Sequence, residues 1–275
     1  MLKIKPMGQY IGAEITGIDV KKISKIDFNR VYSTWLDFGV TVVRNQKLEI
    51  PDFINYSQRY GTIIPHPSKS TRHPSYPKIT VLGENKFNKD GTLNDAIYRR
   101  GADGFHTDGA YDKNPFKATK LYALEVPSKG GNTHFCCMYR AYEMLPPLLK
   151  KRIDGKIGAF TYGGRQKKQE LLNNEDRDKQ PAFHSLARVH PETKRKSLYF
   201  DPGKITFISG VTQAESDDII DELSERLFVA DTEYIHQWKV GDVVIWDNRR
   251  LLHKAAGDYP PEENRIHWRV SIKEH

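Results

Sequence analysis

Gly104-Phe105-His106-Thr107-Asp108-Gly109 contains two residues of the metal-ligand type, one position apart. On an extended strand, side chains two apart point to the same face, so His106 and Asp108 can bind one metal ion. A second histidine from another strand would complete a two-histidine, one-carboxylate triad, which leaves positions on a non-haem iron open for substrate and oxygen. The stretch therefore suggests an iron site.

A histidine-x-acid pair is a weak signal, because ten histidines and 35 acidic residues produce such a match by chance. A second match, His190-Pro191-Glu192, has a proline between the candidate ligands, and proline disfavours the same-face geometry. The plain alternative for His106 and Asp108 is a loop pair that hydrogen-bonds locally.

The C-terminal segment strengthens the metal interpretation. Gly241 to His253 reads as an apolar strand that runs into a polar corner and then a histidine. Further on, Arg265, His267 and Arg269 share one face if their run is extended. Cationic groups in a dry core are costly, so we expect them to be solvated or to bind anions in a pocket. Arginine suits anion binding because its planar fork can hold a carboxylate through two hydrogen bonds.

The chain resembles the TauD/TfdA family of Fe(II)- and 2-oxoglutarate-dependent dioxygenases along most of its length. The matching pieces are, in chain order, Gly12–Asp19, Phe105–Asp108, Gly130–Thr133, Met138–Tyr142, His190–Thr193, Arg195–Tyr199, Trp246–Arg249, His253 and Arg265. Each piece alone is unremarkable, whereas their order and spacing together are specific.

This resemblance implies a role for each matched residue. His106, Asp108 and His253 are the expected ligands of Fe(II), with molecular oxygen as the second cosubstrate. Thr133 and Arg265 are expected to hold the distal carboxylate of 2-oxoglutarate.

Two further positions match the substrate pocket of the taurine-using members. Arg269 is the residue expected to hold the anionic group of the substrate. His66 matches another pocket position, with an ordinary loop histidine as the alternative. The resemblance gives no catalytic role to His267.

The sequence departs from the taurine-using pattern inside the expected pocket. Ala102 stands where those members have an amide side chain, Lys204 where they have an aromatic, and Lys69 about where a tyrosine is expected. These departures disfavour taurine. Within the expected class of small anionic substrates, two lysines facing the pocket would favour a bulkier or more anionic one, such as another sulfonate, an aryloxy or alkyl carboxylate, or a phosphonate. Lysines on the surface, outside the pocket, remain the alternative for Lys69 and Lys204.

The implied reaction hydroxylates a C–H bond, with cleavage of the adjacent bond when the hydroxylated carbon bears a leaving group. Asp108 argues against halogenation, which in related iron enzymes needs a small residue at that position. Two alternatives stay open: an oxidative demethylase of nucleic acid, and a non-catalytic cupin-like binding protein.

The expected fold is mainly β with flanking helices, a double-stranded β-helix or jelly roll of the cupin type. His253 follows Asp108 by 145 residues, and a sheet folded back on itself would bring them together. We expect one domain over residues 1–275, with lid or insertion segments at 84–104 and 162–180.

Local patterns predict several elements around this core. Asp27 is a candidate N-cap for a helix that ends near Gly39, and 40–43 reads as a buried strand. Pro51 to Tyr60 predicts a second helix, and Thr212-x-x-Glu215 is the start signal of a third.

Composition excludes some classes of protein. The net charge is +8, but basic residues are mixed with acidic ones, which argues against a nucleic-acid partner. No apolar run predicts a membrane span or a signal peptide. The only cysteines, Cys136 and Cys137, are adjacent, which disfavours a structural disulfide and favours a reducing cytoplasm. We expect a homo-oligomer, either a dimer or a tetramer.

Overall fold

Two β-sheets enclose the centre of the protein. The computed structural model describes residues 1–66, 71–84, 86–98, 101–102, 104–165, 180–227 and 232–274. The strands are β1 Lys3–Pro6, β2 Ala13–Thr16, β3 Val40–Val43, β4 Thr62–Ile64, β5 Thr80–Leu82, β6 Ala118–Glu125, β7 Thr133–Cys137, β8 Ile157–Phe160, β9 Ala182–Ser185, β10 Ala187–Val189, β11 Lys196–Leu198, β12 Ile205–Ile208, β13 Glu233–His236, β14 Val243–Asp247, β15 Leu251–Ala255 and β16 Ile266–Lys273. The α-helices are α1 Lys25–Phe38, α2 Ile50–Gln58, α3 Asp95–Tyr98, α4 Met138–Met144, α5 Pro147–Ile153 and α6 Gln213–Arg226, and Val20–Lys22 forms a 3₁₀ turn.

The major sheet has the strand order β1-β2-β3-β14-β6-β16-β4, with β5 also paired to β16. A smaller sheet, β13-β7-β15, faces it. Side chains from both sheets pack together between them, among them Leu121 of β6, Trp246 of β14 and Phe135 of β7. This arrangement is the jelly roll that the sequence led us to expect.

The opposite face of the major sheet is also buried. Helices α1 and α2 cover it, and Tyr122 of β6 and Ile245 of β14 pack there with Trp35 and Phe53. Burial on both faces explains why β14 reads as an unbroken apolar run in the sequence. A third layer of β8, β12 and helices α4 to α6 packs behind the smaller sheet.

The helix predictions hold with one correction. α1 begins after Ser24, whose hydroxyl accepts the Asp27 backbone N–H, so Ser24 and not Asp27 is the N-cap. Gly39 ends the helix in a left-handed conformation, as expected of a C-cap glycine. Thr212 caps α6 by accepting the backbone N–H of Glu215. α2 has its proline in the first turn.

Parts of the two expected lid segments lie outside the described residues, namely 85, 99–100 and 103 in the first and 166–179 in the second. No helix among the described residues is long and apolar enough to cross a bilayer.

Candidate metal centre

His106 and His253 lie side by side at the mouth between the two sheets. Each backbone N–H donates to the carbonyl of the other residue, at 3.0 and 2.8 Å, and the imidazole centroids are 4.3 Å apart. His253 belongs to β15, but the stretch around His106 forms only this one bridge. The expectation of a regular strand at His106 was therefore wrong, although the side chains of His106 and Asp108 still reach one site.

Asp108 completes the group. One nitrogen from each imidazole and one carboxylate oxygen of Asp108 all lie within 4.8 Å of one another. Among the described residues this is the single cluster of three or more such side chains with metal-binding spacing. Two imidazoles and one carboxylate form the donor set that suits non-haem Fe(II), so the residues present fit an iron ion.

The carboxylate of Asp108 is held through both of its oxygens. The Thr119 hydroxyl of β6 donates to Oδ2 at 2.5 Å, and the Arg269 guanidinium of β16 lies 2.7 Å from Oδ1. Burial raises the pKa of Asp108, but Arg269, the two histidines and Thr119 outweigh it and hold the pKa well below its usual range. Burial and the neighbouring His106 keep the pKa of His253 well below its usual value. Asp108 is thus anionic and His253 neutral near pH 7, the forms that bind a metal.

A second layer of hydrogen bonds supports these residues. The side-chain amide of Asn248 donates to the Thr119 hydroxyl at 3.0 Å, and the Thr107 hydroxyl donates to the Asn248 carbonyl at 2.7 Å. The Thr107 backbone N–H donates to the buried carboxylate of Asp201 at 3.0 Å. The residue between the two predicted ligands is therefore fixed by its backbone and by its side chain.

Arg265, just before β16, reaches the start of β7 with its side chain. Its Nε donates to the Gly131 carbonyl at 2.7 Å and its Nη2 to the Thr133 hydroxyl at 3.2 Å. Within the described chain no carboxylate lies within ion-pair distance of its guanidinium. Burial lowers the pKa of Arg265 to about 10, which leaves it cationic at neutral pH. The guanidinium is therefore a partly buried positive charge that an anion can pair with.

Comparison with known proteins gives the family. Residues 3–271 match the model of the taurine catabolism dioxygenase TauD, TfdA family. The chain belongs to the TauD/TfdA family. It is accordingly an oxidoreductase that depends on 2-oxoglutarate and oxygen, with iron as the metal that its donor set fits.

Relatives and solved structures agree with this family. A putative α-ketoglutarate-dependent sulfonate dioxygenase of Schizosaccharomyces pombe is 26% identical, over 96% of this chain and 68% of its own length. An (S)-phenoxypropionate/α-ketoglutarate-dioxygenase of Sphingobium herbicidovorans is 27% identical, over 98% and 94%. The crystal structure of a putative α-ketoglutarate-dependent taurine dioxygenase from Burkholderia xenovorans superposes with a TM-score of 0.82 at 25% identity, covering 100% of this chain and 90% of that one.

The remaining residues expected from the TauD/TfdA resemblance lie in different surroundings. Arg269 faces Asp108, as described above. His66 lies beside Thr71, its Nδ1 3.3 Å from that hydroxyl, and its carbonyl accepts from Arg72 at 2.7 Å. Lys204 donates to the Tyr162 carbonyl at 2.6 Å. Lys69 is outside the described residues.

Sequence reasoning also missed residues that contact the candidate site. Thr119 and Asn248 support Asp108, and the Trp238 indole N–H donates to the Thr133 hydroxyl at 3.0 Å. Asn248 lies in a stretch that carried the resemblance, which was a signal of its importance but not of its contact. Thr119 had no local signal, because it is a threonine within a buried strand and belongs to no motif.

Proposed function

We propose that this TauD/TfdA protein hydroxylates a C–H bond of a small anionic substrate, with His106, Asp108 and His253 as the iron ligands. The observation that carries the proposal is the placement of these three side chains, whose ligand atoms lie within 4.8 Å of one another. When bound, iron and 2-oxoglutarate supply the oxidative chemistry, and the protein supplies binding and orientation. One oxygen atom of O₂ enters the hydroxylated product and the other enters succinate, with release of carbon dioxide.

We assign the distal carboxylate of 2-oxoglutarate to Arg265 and Thr133. Arg265 is a partly buried cation with no carboxylate within ion-pair distance in the described chain, and its Nη2 donates to the Thr133 hydroxyl at 3.2 Å. A charged hydrogen bond to a carboxylate contributes about 1.5–3 kcal/mol, so this pair can hold an anion.

Arg269 is proposed to bind the anionic group of the substrate. It lies on β16 beside Asp108, and 13% of its side chain is exposed. The ion pair with Asp108 involves one guanidinium nitrogen, Nη2. His66 is proposed as a further pocket residue because a chain of contacts links it to Arg269. The side chain of Arg72 donates to the His66 carbonyl, and Arg72 forms a β-bridge with Thr80. Thr80 in turn pairs with Arg269 across β5 and β16. Lys204 and Lys69 remain proposed contributors of positive charge at the pocket rim.

The proposed substrate classes are sulfonates, aryloxy or alkyl carboxylates and phosphonates. Relatives are named for sulfonates and phenoxypropionate, and a further one, from Acinetobacter baylyi, is named as an alkylsulfatase. If the hydroxylated carbon bears a sulfonate or an ether oxygen, the product collapses to a carbonyl and releases that group, so hydroxylation leads to cleavage.

An anaerobic titration tests the metal and cosubstrate assignment without knowledge of the substrate. Metal-free protein is titrated with Fe(II) and then 2-oxoglutarate, and the weak visible charge-transfer band of the chelate is followed. We expect a saturable band that is lost in Asp108→Ala and kept in Asp112→Ala. Asp112 is a matched control because it is another aspartate close in sequence whose carboxylate pairs with Lys273, at 2.8 Å, and is not part of the cluster of candidate ligands.

The substrate is then sought by succinate release. Sulfonates, aryloxyacids, phosphonates and short oligonucleotides are compared, and we expect stimulation by one of the first three classes. Stimulation by the oligonucleotide alone would favour the nucleic-acid demethylase. Absence of the band in the unmodified protein would favour a cupin-like binding protein.

We also propose that the protein acts in the cytoplasm as a dimer or tetramer. Cys136 and Cys137 are buried and unbridged, which supports a reducing compartment. The oligomeric state is carried over from the family resemblance. Light scattering after size exclusion tests it, and a monomeric mass would contradict it.

A further inference from the structure

The hydroxyl of Thr133 has only one direction in which it can act. Thr133 is the first residue of β7 and is 3% exposed. Its oxygen accepts two hydrogen bonds, from Trp238 Nε1 at 3.0 Å and from Arg265 Nη2 at 3.2 Å. A hydroxyl has two lone pairs and one O–H, so both acceptor positions are used. Thr133 makes no donor hydrogen bond to any described residue, and its O–H is therefore left to donate to a ligand.

The surroundings of Trp238 leave its indole N–H to donate to the Thr133 hydroxyl. The indole is 9% exposed and lies between two imidazoles, His236 at 4.6 Å and His267 at 4.4 Å between ring centroids. Both cross the indole steeply, at 88° and 70°, and neither takes its N–H. The Arg265 guanidinium carbon is 5.9 Å from the indole centroid. Trp238 thus contacts both residues of the proposed cosubstrate anchor.

The two imidazoles beside Trp238 have contacts of their own. His236 Nδ1 is engaged with the Tyr234 hydroxyl at 3.1 Å, and its Nε2 faces Asp242 at 3.3 Å. The ring of His267 makes no hydrogen bond to a side chain within the described residues, and it packs against Trp238.

We propose that Trp238 is a positioning residue that fixes the Thr133 hydroxyl as a hydrogen-bond donor toward the distal carboxylate of 2-oxoglutarate. The inference rests on the proposed role of Thr133 and Arg265 in binding that carboxylate. A carboxylate has only acceptor atoms, so a hydroxyl helps only when its O–H points toward it. Without the indole N–H, one lone pair of Thr133 is unoccupied, and the O–H can rotate away from the ligand.

Calorimetric titration of the Fe(II) protein under argon tests the inference. Two ligands are compared: 2-oxoglutarate, and 2-oxobutanoate, which lacks the distal carboxylate. Trp238→Phe keeps an aromatic ring and removes the N–H. We expect its Kd for 2-oxoglutarate to rise about three- to tenfold, the equivalent of one neutral hydrogen bond, while the Kd for 2-oxobutanoate stays within twofold. If Trp238→Phe does not fold, Trp238→Leu, which also lacks the N–H, is used in the same titrations.

Thr133→Val separates failure of this inference from failure of the site. Thr133→Val should weaken 2-oxoglutarate binding at least as much as Trp238→Phe, and the double variant should lose no more than Thr133→Val alone. If Thr133→Val weakens binding and Trp238→Phe does not, or if Trp238→Phe weakens both ligands equally, the positioning role is overturned and the anchor stands. If Thr133→Val and Arg265→Leu both bind 2-oxoglutarate normally, the anchor itself is misassigned.

Discussion

Thr119→Val should weaken metal binding although Thr119 is not a metal ligand. Its hydroxyl donates to Asp108 Oδ2 at 2.5 Å and accepts from the Asn248 side-chain amide at 3.0 Å. Valine has nearly the same volume and the same branching as threonine, so the packing of β6 is kept and only the hydroxyl is removed. The Asp108 carboxylate then keeps Arg269 as its partner on Oδ1 but is free to turn about that contact.

The size of the effect follows from the lost hydrogen bond. A hydrogen bond to a charged group contributes about 1.5–3 kcal/mol, which corresponds to roughly ten- to a hundredfold in affinity if all of it serves to orient the ligand. Loss of groups that orient metal ligands typically costs about 10- to 100-fold in affinity, in the same range. The Asn248 amide also loses its acceptor, and a buried unpaired donor costs about 1–3 kcal/mol of folding stability.

Titration with Mn(II), followed by the electron paramagnetic resonance of the free ion, measures this affinity without turnover. Thr119→Ser is the matched control because it keeps the hydroxyl and loses only a methyl group. We expect Thr119→Ser to bind Mn(II) nearly as tightly as the unmodified protein and Thr119→Val to bind at least tenfold more weakly. Equal affinity for Thr119→Val, or an equal loss in both variants, would refute the reasoning.

Two further changes test other parts of the molecule. At saturating Fe(II), Arg269→Ala should raise the KM for the accepted substrate about ten- to a hundredfold and leave the Kd for 2-oxoglutarate unchanged. Saturating metal is needed because Arg269 also holds the Asp108 carboxylate, and an equal loss for both ligands would then show that the roles are misassigned. Lys120 lies with its amine 3.8 and 4.1 Å from the ring centroids of Tyr56 and Tyr60, and burial holds its pKa well below 10.5. The unfolded chain therefore binds one more proton than the folded protein between the lowered pKa and 10.5, so stability should rise with pH by at most about 1.4 kcal/mol per unit. In urea unfolding, Lys120→Met should be the more stable protein at pH 7, with a lead that shrinks toward pH 9.5; a constant difference would contradict a neutral amine.

The sequence predicted the parts of this protein that have local or family-wide patterns. The apolar run before Asp247 is β14, and the stretch that ends in His253 is β15. The proposed anchor residues Thr133 and Arg265, 132 positions apart, do form a hydrogen bond in the structure. The apolar run is a local pattern, and the anchor residues were recognised from the order of matching pieces along the chain. Neither kind of pattern depends on how the strands pair.

The contacts that depend on register could not be predicted. Thr119 reaches Asp108 because β6 pairs with β14 so that Thr119 lies opposite Trp246, on the inner face of the sheet. A shift of one residue would bring Lys120 inward in its place. The predicted N-cap of α1 was wrong for a related reason. Serine and aspartate are both good caps, so the sequence alone does not decide between Ser24 and Asp27.

The two threonines of the site explain why the reaction class is easier to read than the substrate. Thr119 accepts from Asn248 and donates to Asp108, while Thr133 accepts from two donors and is left to donate outward. Both stand on strands, where the sheet fixes their direction before any ligand binds, and such preorganised donors cost no reorganisation during reaction. The residues proposed for substrate contact at 66 and 204 lie outside regular strands, and loops vary among relatives more than the elements they connect. Because the ligand-holding contacts are fixed by the sheets, the reaction class can be read from the family pattern, whereas loop residues such as these leave the substrate open to differ from one member to the next.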